Sequence, residues 1–258
     1  MVTTGSACTN QLANFGERIT LRDAAGITLA TFDFDDGTDW PQRADGGGGS
    51  LELVDPSLDP NAPASWRNSA EYGGLPGAVG VGDVGSVIIN EVLSNTPGPV
   101  QDAIEFFNPT DEPFDIGGMW LSDRLDNLNR YVIPAGTMVP AGGYLTLEQN
   151  QFGFGLSGRT GEDVVLFQPG ASGKPDLFIA QVSFGPALPL ESFGRQPNGT
   201  GPLVPIVSTS LGSENSRPRT GPVVISEVMY NPPPELSVTF DPQQLEFVEI
   251  YNPTPLTI

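Results

Sequence analysis

Carboxylates are the most plentiful reactive side chains in this chain, and two of them sit where carboxylates are least expected. Glu91 interrupts the β-branched run "VIINEVLSN", Val87 to Asn95. Glu105 does the same in "AIEFFNPTDEPFDI", Ala103 to Ile116, with Asp102 just ahead of it. A carboxylate taken out of water must be paired or hydrogen-bonded. Three chemistries fit. Glu91, Glu105 and Asp102 could gather a divalent cation such as calcium. Two carboxylates across a cleft could hydrolyse a glycoside, although no spacing in the chain singles out such a pair. Or each carboxylate could be held by backbone N–H groups or by an arginine such as Arg124 or Arg130, as part of the fold. A second acidic cluster, "DFDDGTDW", carries Asp33, Asp35 and Asp36 ahead of Gly37. Its density suits a calcium loop. Its spacing does not suit an EF-hand, because the twelfth position falls on Ala44 instead of a glutamate.

Other chemistries are excluded outright. The chain has no histidine and one cysteine, Cys8. No Ser-His-Asp or Cys-His nucleophile can be assembled, nor a zinc site of His and Cys ligands, nor an intrachain disulfide. There are 31 acidic against 11 basic residues, a formal charge of −20, and a single lysine, Lys174. Such a surface repels phosphate backbones and anionic lipid, so neither nucleic acid nor membrane insertion is expected. Three tryptophans could stack on sugar rings. Trp120 lies in the alternating "MWLSD" and is expected in the core; Trp40 and Trp66 lie in Gly/Pro-rich stretches and are the candidates for exposure. Asn198-Gly199-Thr200 matches a glycosylation acceptor, a common chance pattern.

The elements that position these groups are written in repeats. "IINEVLSN" matches "VISEVMYN", aligning Glu91 with Glu227, and "AIEFFNPT" matches "FVEIYNPT", aligning Glu105 with Glu249. Nearer the start, "NFGERITLRDAAG" matches "RTGEDVVLFQPGASG", aligning Gly16-Glu17 with Gly161-Glu162. All offsets lie at about 136 to 145 residues, so one unit of roughly 140 residues recurs. The chain then divides into the back part of a unit (1–82), a whole unit (83–216) and the front part of another (217–258). Units cut at both ends suggest a stretch of a longer array, although no signal peptide opens this segment.

Glycine (32) and proline (26) punctuate the chain roughly every ten residues and leave no amphipathic helix. Alternating stretches predict strands at 87–93, 103–108, 119–123, 130–134, 144–149, 163–168 and 177–184. Seven to nine short strands in a unit of this size indicate an all-β sandwich of antiparallel strands with Greek-key connections.

The middle unit resembles the lamin tail domains found in bacterial proteins. The resemblance rests on the order of "VIINEVLSN", "AIEFFNPTDEPFDIGGMWLSD", "YVIPAGTMVPAGGYLTL" and "FGFGLSGRTGEDVVLF". The first unit carries the closing part of that pattern in "GGSLELVDPSLDPNAPASW", and the third carries its opening. The resemblance implies an immunoglobulin-like sandwich and a non-enzymatic module of a larger secreted or cell-surface protein. The expected partners are proteins or polysaccharides at the cell exterior, in an adhesion, spacing or scaffold role. The alternative is a carbohydrate-binding module beside a secreted enzyme. The truncated ends raise one further expectation: the strands at 222–235 complete the sandwich begun within 1–82.

Overall fold

In the computed structural model the described residues are 12–80, 82, 85–219, 221, 223–232 and 245–252. Cys8 lies outside them. Four strands precede the middle unit: β1 (Glu17–Arg22), β2 (Thr28–Phe34), β3 (Leu51–Leu53) and β4 (Trp66–Asn68). The middle unit contributes β5 (Ile88–Leu93), β6 (Ala103–Phe107), β7 (Phe114–Asp115), β8 (Trp120–Ser122), β9 (Tyr131–Val132), β10 (Met138–Val139), β11 (Tyr144–Glu148), β12 (Glu162–Pro169), β13 (Pro175–Phe184), β14 (Ser192–Arg195) and β15 (Leu203–Pro205). β16 (Val224–Met229) and β17 (Phe247–Tyr251) follow.

β5 to β15 form an antiparallel sandwich. One sheet has the order β11-β6-β5-β14-β15 and the other β13-β12-β8-β9. β14 returns by a long connection to lie beside β5, a Greek-key path. Strand alternation sends Ile89, Val92, Ile104 and Phe106 from one sheet, and Leu121, Val164, Leu166 and Val182 from the other, into a shared core. The predicted strands are present. β7 and β10 are two residues long and were too short to show a period; β14 and β15 also went unanticipated. So did a single helical turn, α1 (Gln149–Phe152), closed by a capping box between Glu148 and Gln151.

The aligned segments share their pairing in detail. β16 and β17 pair as β5 and β6 do: Glu227 faces Glu249 as Glu91 faces Glu105, and each first strand bulges one residue before its glutamate. β1 and β2 pair as β12 and β13 do, with the irregularity falling between Leu21 and Arg22 in one and between Leu166 and Phe167 in the other. Gly16 and Gly161 both have positive φ, and a Cβ on either would strike the carbonyl oxygen of Phe34 or Phe184. Only glycine fits such a place without strain. Glu17 and Glu162, which follow them, each accept an upstream backbone N–H.

The first segment also docks on the middle one. The outer face of β12 and β13 is apolar, with Val165, Phe167 and Phe178 packed beside Trp120. Tyr72 stacks on Phe178, and Arg43 lies 4.3 Å above the same ring. The backbone joins in, as Tyr72 N–H donates to Asp176 O at 2.7 Å and Phe178 N–H to Ala70 O at 2.8 Å.

Among the described residues the expected pairing of 222–235 with 1–82 is not seen. Among the described residues β16 pairs with β17 alone, and β3 with β4 alone.

Candidate functional site

Glu91 and Glu105 stand directly opposite each other on β5 and β6, and both are fully buried. They point away from the core, beneath a loop of residues 206–216 that folds back over the five-stranded sheet. Ser210 is the keystone for Glu91: its N–H donates to Oε1 at 3.0 Å and its hydroxyl to Oε2 at 2.7 Å. Gly212 N–H and Asn90 Nδ2 donate to the two oxygens of Glu105. Asn90 occupies the bulge, which turns its side chain into the same layer. Its Oδ1 accepts Gly199 N–H, and its amide nitrogen also reaches Asn198 Oδ1. Asn215 donates to the carbonyls of Asn90 and Arg195. The result is a continuous buried polar layer that clamps the loop to the sheet.

Two carboxylates this close cannot ionise as freely as separate ones. Burial, opposed by the donors from Asn90 and Gly212 and reinforced by the negative charge of Glu91, pushes the Glu105 carboxyl up to about 7.

The structure therefore holds the repeated glutamates with backbone N–H groups and neutral side chains. The arginine partners considered from the sequence are engaged elsewhere: Arg124 with Asp126 and Arg130 with Asp123. Asp102 does not join the pair. It sits at the start of β6's approach, where its oxygens accept Thr96 Oγ1 at 2.6 Å and Leu156 N–H at 2.7 Å. Asp33, Asp35 and Asp36 are likewise not gathered. Asp33 makes a two-pronged pair with Arg18, which holds its carboxyl below the usual range, and Asp35 accepts Gly37 N–H. Among the described residues no group of three or more His, Cys, Asp or Glu side chains could hold a metal ion.

The tryptophan expectation is corrected. Trp40 is 8% exposed, and its ring lies against Trp66, which stacks in turn on Phe32. Trp66 also donates Nε1–H to Pro60 O. Trp40 is thus buried instead of exposed, and Trp66 is half-buried with its ring stacked on Phe32. Asn198, of the glycosylation pattern, spends its amide on Tyr144, Asn90 and Asn215.

One cleft remains. About 550 Å³ of open space lies at the end of β5 and β6, lined by Thr96, Asp102, Gln149, Arg159 and Ala187. It is polar, and it holds one carboxylate whose oxygens are already used.

The Lamin Tail Domain family model matches residues 81–186. This stretch carries β5 to β13, that is, all of the four-stranded sheet and three of the five strands of the other; β14, β15 and the loop that clamps the glutamates lie beyond it. The fold is the immunoglobulin-like one of that family. No curated protein matches the chain, and no solved structure does. No helix among the described residues is long and apolar enough to cross a membrane.

Proposed function

We propose that the chain is a stretch of a tandem array of lamin-tail-like domains. Its copies occupy 1–82, 83–216 and 217–258, and it serves as a non-enzymatic interaction or spacing module of a larger secreted or cell-surface protein. One observation carries the reading: in the middle segment the residues that recur elsewhere in the chain do structural work. Glu91 and Glu105 are consumed by the 206–216 loop, Gly16 and Gly161 by a close backbone approach, and the bulge recurs at the same register. A repeated catalytic pair would be expected to face a cleft; this one faces a closed lid. The acidic surface suits partners at a cell exterior that are proteins or neutral polysaccharides.

A second reading, polysaccharide capture beside a secreted enzyme, is favoured by the polar cleft at Thr96, Gln149 and Arg159 and weakened by the packing of Trp40 and Trp66. A panel of polysaccharides and matrix proteins, immobilised and probed with the 258-residue chain, separates the two. Retention on a protein partner without turnover is expected. Release of sugar from any panel member would sink both non-enzymatic readings. Calcium added during thermal melting is expected to leave the midpoint in place, and an upward shift of several degrees would restore the cation reading of the Asp and Glu clusters.

A further inference from the structure

The polar cleft at the end of β5 and β6 has hydrogen-bond donors to spare. Ser94, Gln149 and Arg159 all line it. Ser94 is 4% exposed, and its buried hydroxyl has no hydrogen-bond partner among the described residues. Leaving a buried hydroxyl unpaired is costly, so such a group calls for a reason. The Gln149 carboxamide makes no hydrogen bond among the described residues. The Arg159 guanidinium is exposed and forms no ion pair among them, whereas Arg18, Arg67, Arg124, Arg130 and Arg219 are all paired. The one carboxylate in the wall, Asp102, is already capped by Thr96 and by Leu156 N–H. The cleft therefore offers donors and asks for acceptors. Its wall is firmly built: a methyl on Gly158 would meet Asn95 Cβ at 2.5 Å and Ser94 O at 2.6 Å. This close approach sets Arg159 beside Ser94.

These donors stand outside the repeated framework. In the aligned segments Ser94 falls on Tyr230 and Arg159 on Asn14, while their neighbours Asn95 and Gly161 keep Asn231 and Gly16. A group that the sandwich needs would recur with it, as Glu91 and Glu105 do. Ser94 and Arg159 do not recur, and neither is used by the core or by the buried polar layer.

We propose that this cleft receives an acidic side chain of a protein partner. The inference rests on the interaction-module reading above and names the chemistry by which the module takes hold. Arg159 and the Ser94 hydroxyl bind the carboxylate, a charge-assisted contact. The Gln149 carboxamide is donor and acceptor at once, and it takes a backbone amide of the same segment. Leu156, Pro186 and Ala187 receive the short apolar stem. The volume of about 550 Å³ lies within the usual range for a binding pocket. A uronic acid chain carries the same carboxylate, but it repeats the charge along its length and is repelled by a chain of net charge −20. One carboxylate on a folded partner escapes most of that repulsion, since screening confines it to about 8 Å at physiological salt.

An NMR titration of the 258-residue chain tests this, with acetyl-Gly-Glu-Gly-amide as probe. The amides of Asn95, Leu156, Gly158 and Ala187 are expected to shift saturably, with a dissociation constant on the order of 1 mM. Acetyl-Gly-Gln-Gly-amide should leave them in place, and glucuronate should bind more weakly than the Glu peptide. Arg159→Gln should weaken the Glu peptide at least about tenfold, the loss expected for a bond to a charged group. Arg217→Gln, an exposed arginine outside the cleft, should not. Ser94→Ala should weaken binding while melting no lower than the wild type, because its hydroxyl has no partner to lose. A variant that melts lower and binds as before overturns the role of Ser94. No saturable shift up to about 20 mM Glu peptide overturns the proposal. So does an equal response to the Gln peptide, tighter binding of glucuronate, or an Arg159→Gln variant that binds like the wild type. The interaction-module reading is judged apart: a protein retained equally by wild type and Arg159→Gln in the partner panel upholds the module and overturns the cleft as its grip.

Discussion

At the scale of single residues, the glutamates illustrate how a fold-level role can imitate a site. A carboxylate in a β-branched run invites a catalytic or metal reading, and the run itself explains why it is buried. The missing information was the partner: Ser210 lies 119 residues from Glu91, in a stretch of Ser, Gly and Asn with no hydrophobic pattern to announce it. The buried layer makes the middle domain sensitive to pH. Glu105 titrates near 7 when folded and near 4.5 when unfolded, so folding favours its protonated form. Its contribution is fully present below about pH 4.5 and is lost as pH rises through 7. The melting midpoint is therefore expected to fall over that interval, and Glu105→Gln should flatten the fall. The substitution also loses one acceptor, at about 1–2 kcal/mol. A slope unchanged in the variant would mean that another group is responsible. Glu91→Ala should destabilise the domain by about 2–4 kcal/mol, since it leaves the half-buried Ser210 donors without their acceptor. A loss below ~0.5 kcal/mol in denaturant titration would show that the loop is not clamped in this way.

At the scale of elements, the period-2 pattern was enough to locate β5, β6, β11, β12 and β13, which each run for five residues or more, and the alternating stretches around the shorter β8 and β9. β7 and β10 are too short to alternate, and α1 is one turn held by its cap, so none of these left a readable period. The register of the hairpins was legible as repetition: the aligned glutamates in fact face each other in both pairs. The bulge was not legible, since nothing in "INE" or "ISE" marks it. It does the same thing twice, turning Asn90 toward Glu105 and Ser226 toward Glu249. Only the first is roofed by a loop. Asn90→Ala should therefore cost about 2–4 kcal/mol through its lost donors and acceptor, while Ser226→Ala should stay within about 0.5 kcal/mol as an exposed change. Equal losses in chemical denaturation would contradict the difference in burial. Gly161→Ala should also be strongly destabilising, since φ is +72° and the added methyl would meet Phe184 O at 2.0 Å.

At the scale of the whole molecule, the informative contrast is between two outer faces. β12 and β13 turn Val165, Phe167 and Phe178 outward, and the segment around Arg43 and Tyr72 covers them. The counterpart face of β1 and β2 carries Thr20, Arg22 and Thr28, which are polar and exposed. Aligned strands have thus diverged on the side where neighbours meet while keeping the same pairing, as expected if a face follows its contacts more closely than its fold. Arg43 is the group that makes this contact specific. It is buried, donates to Gln181 Oε1 and Ser69 O at 2.8 Å each, and lies over the ring of Phe178. A guanidinium in that position joins two segments through hydrogen bonds and a cation–π contact at once. Arg43→Ala should loosen the docking without unfolding either sheet. Hydrogen exchange reads it directly: the amides of Tyr72 and Phe178, which bond across the contact, should exchange at least about tenfold faster, equivalent to ~1.4 kcal/mol. The amides of Val164 and Leu166, which lie inside the sandwich, should not change. If all four kept their protection, the docking would have to rest on Tyr72 and the backbone bridge alone.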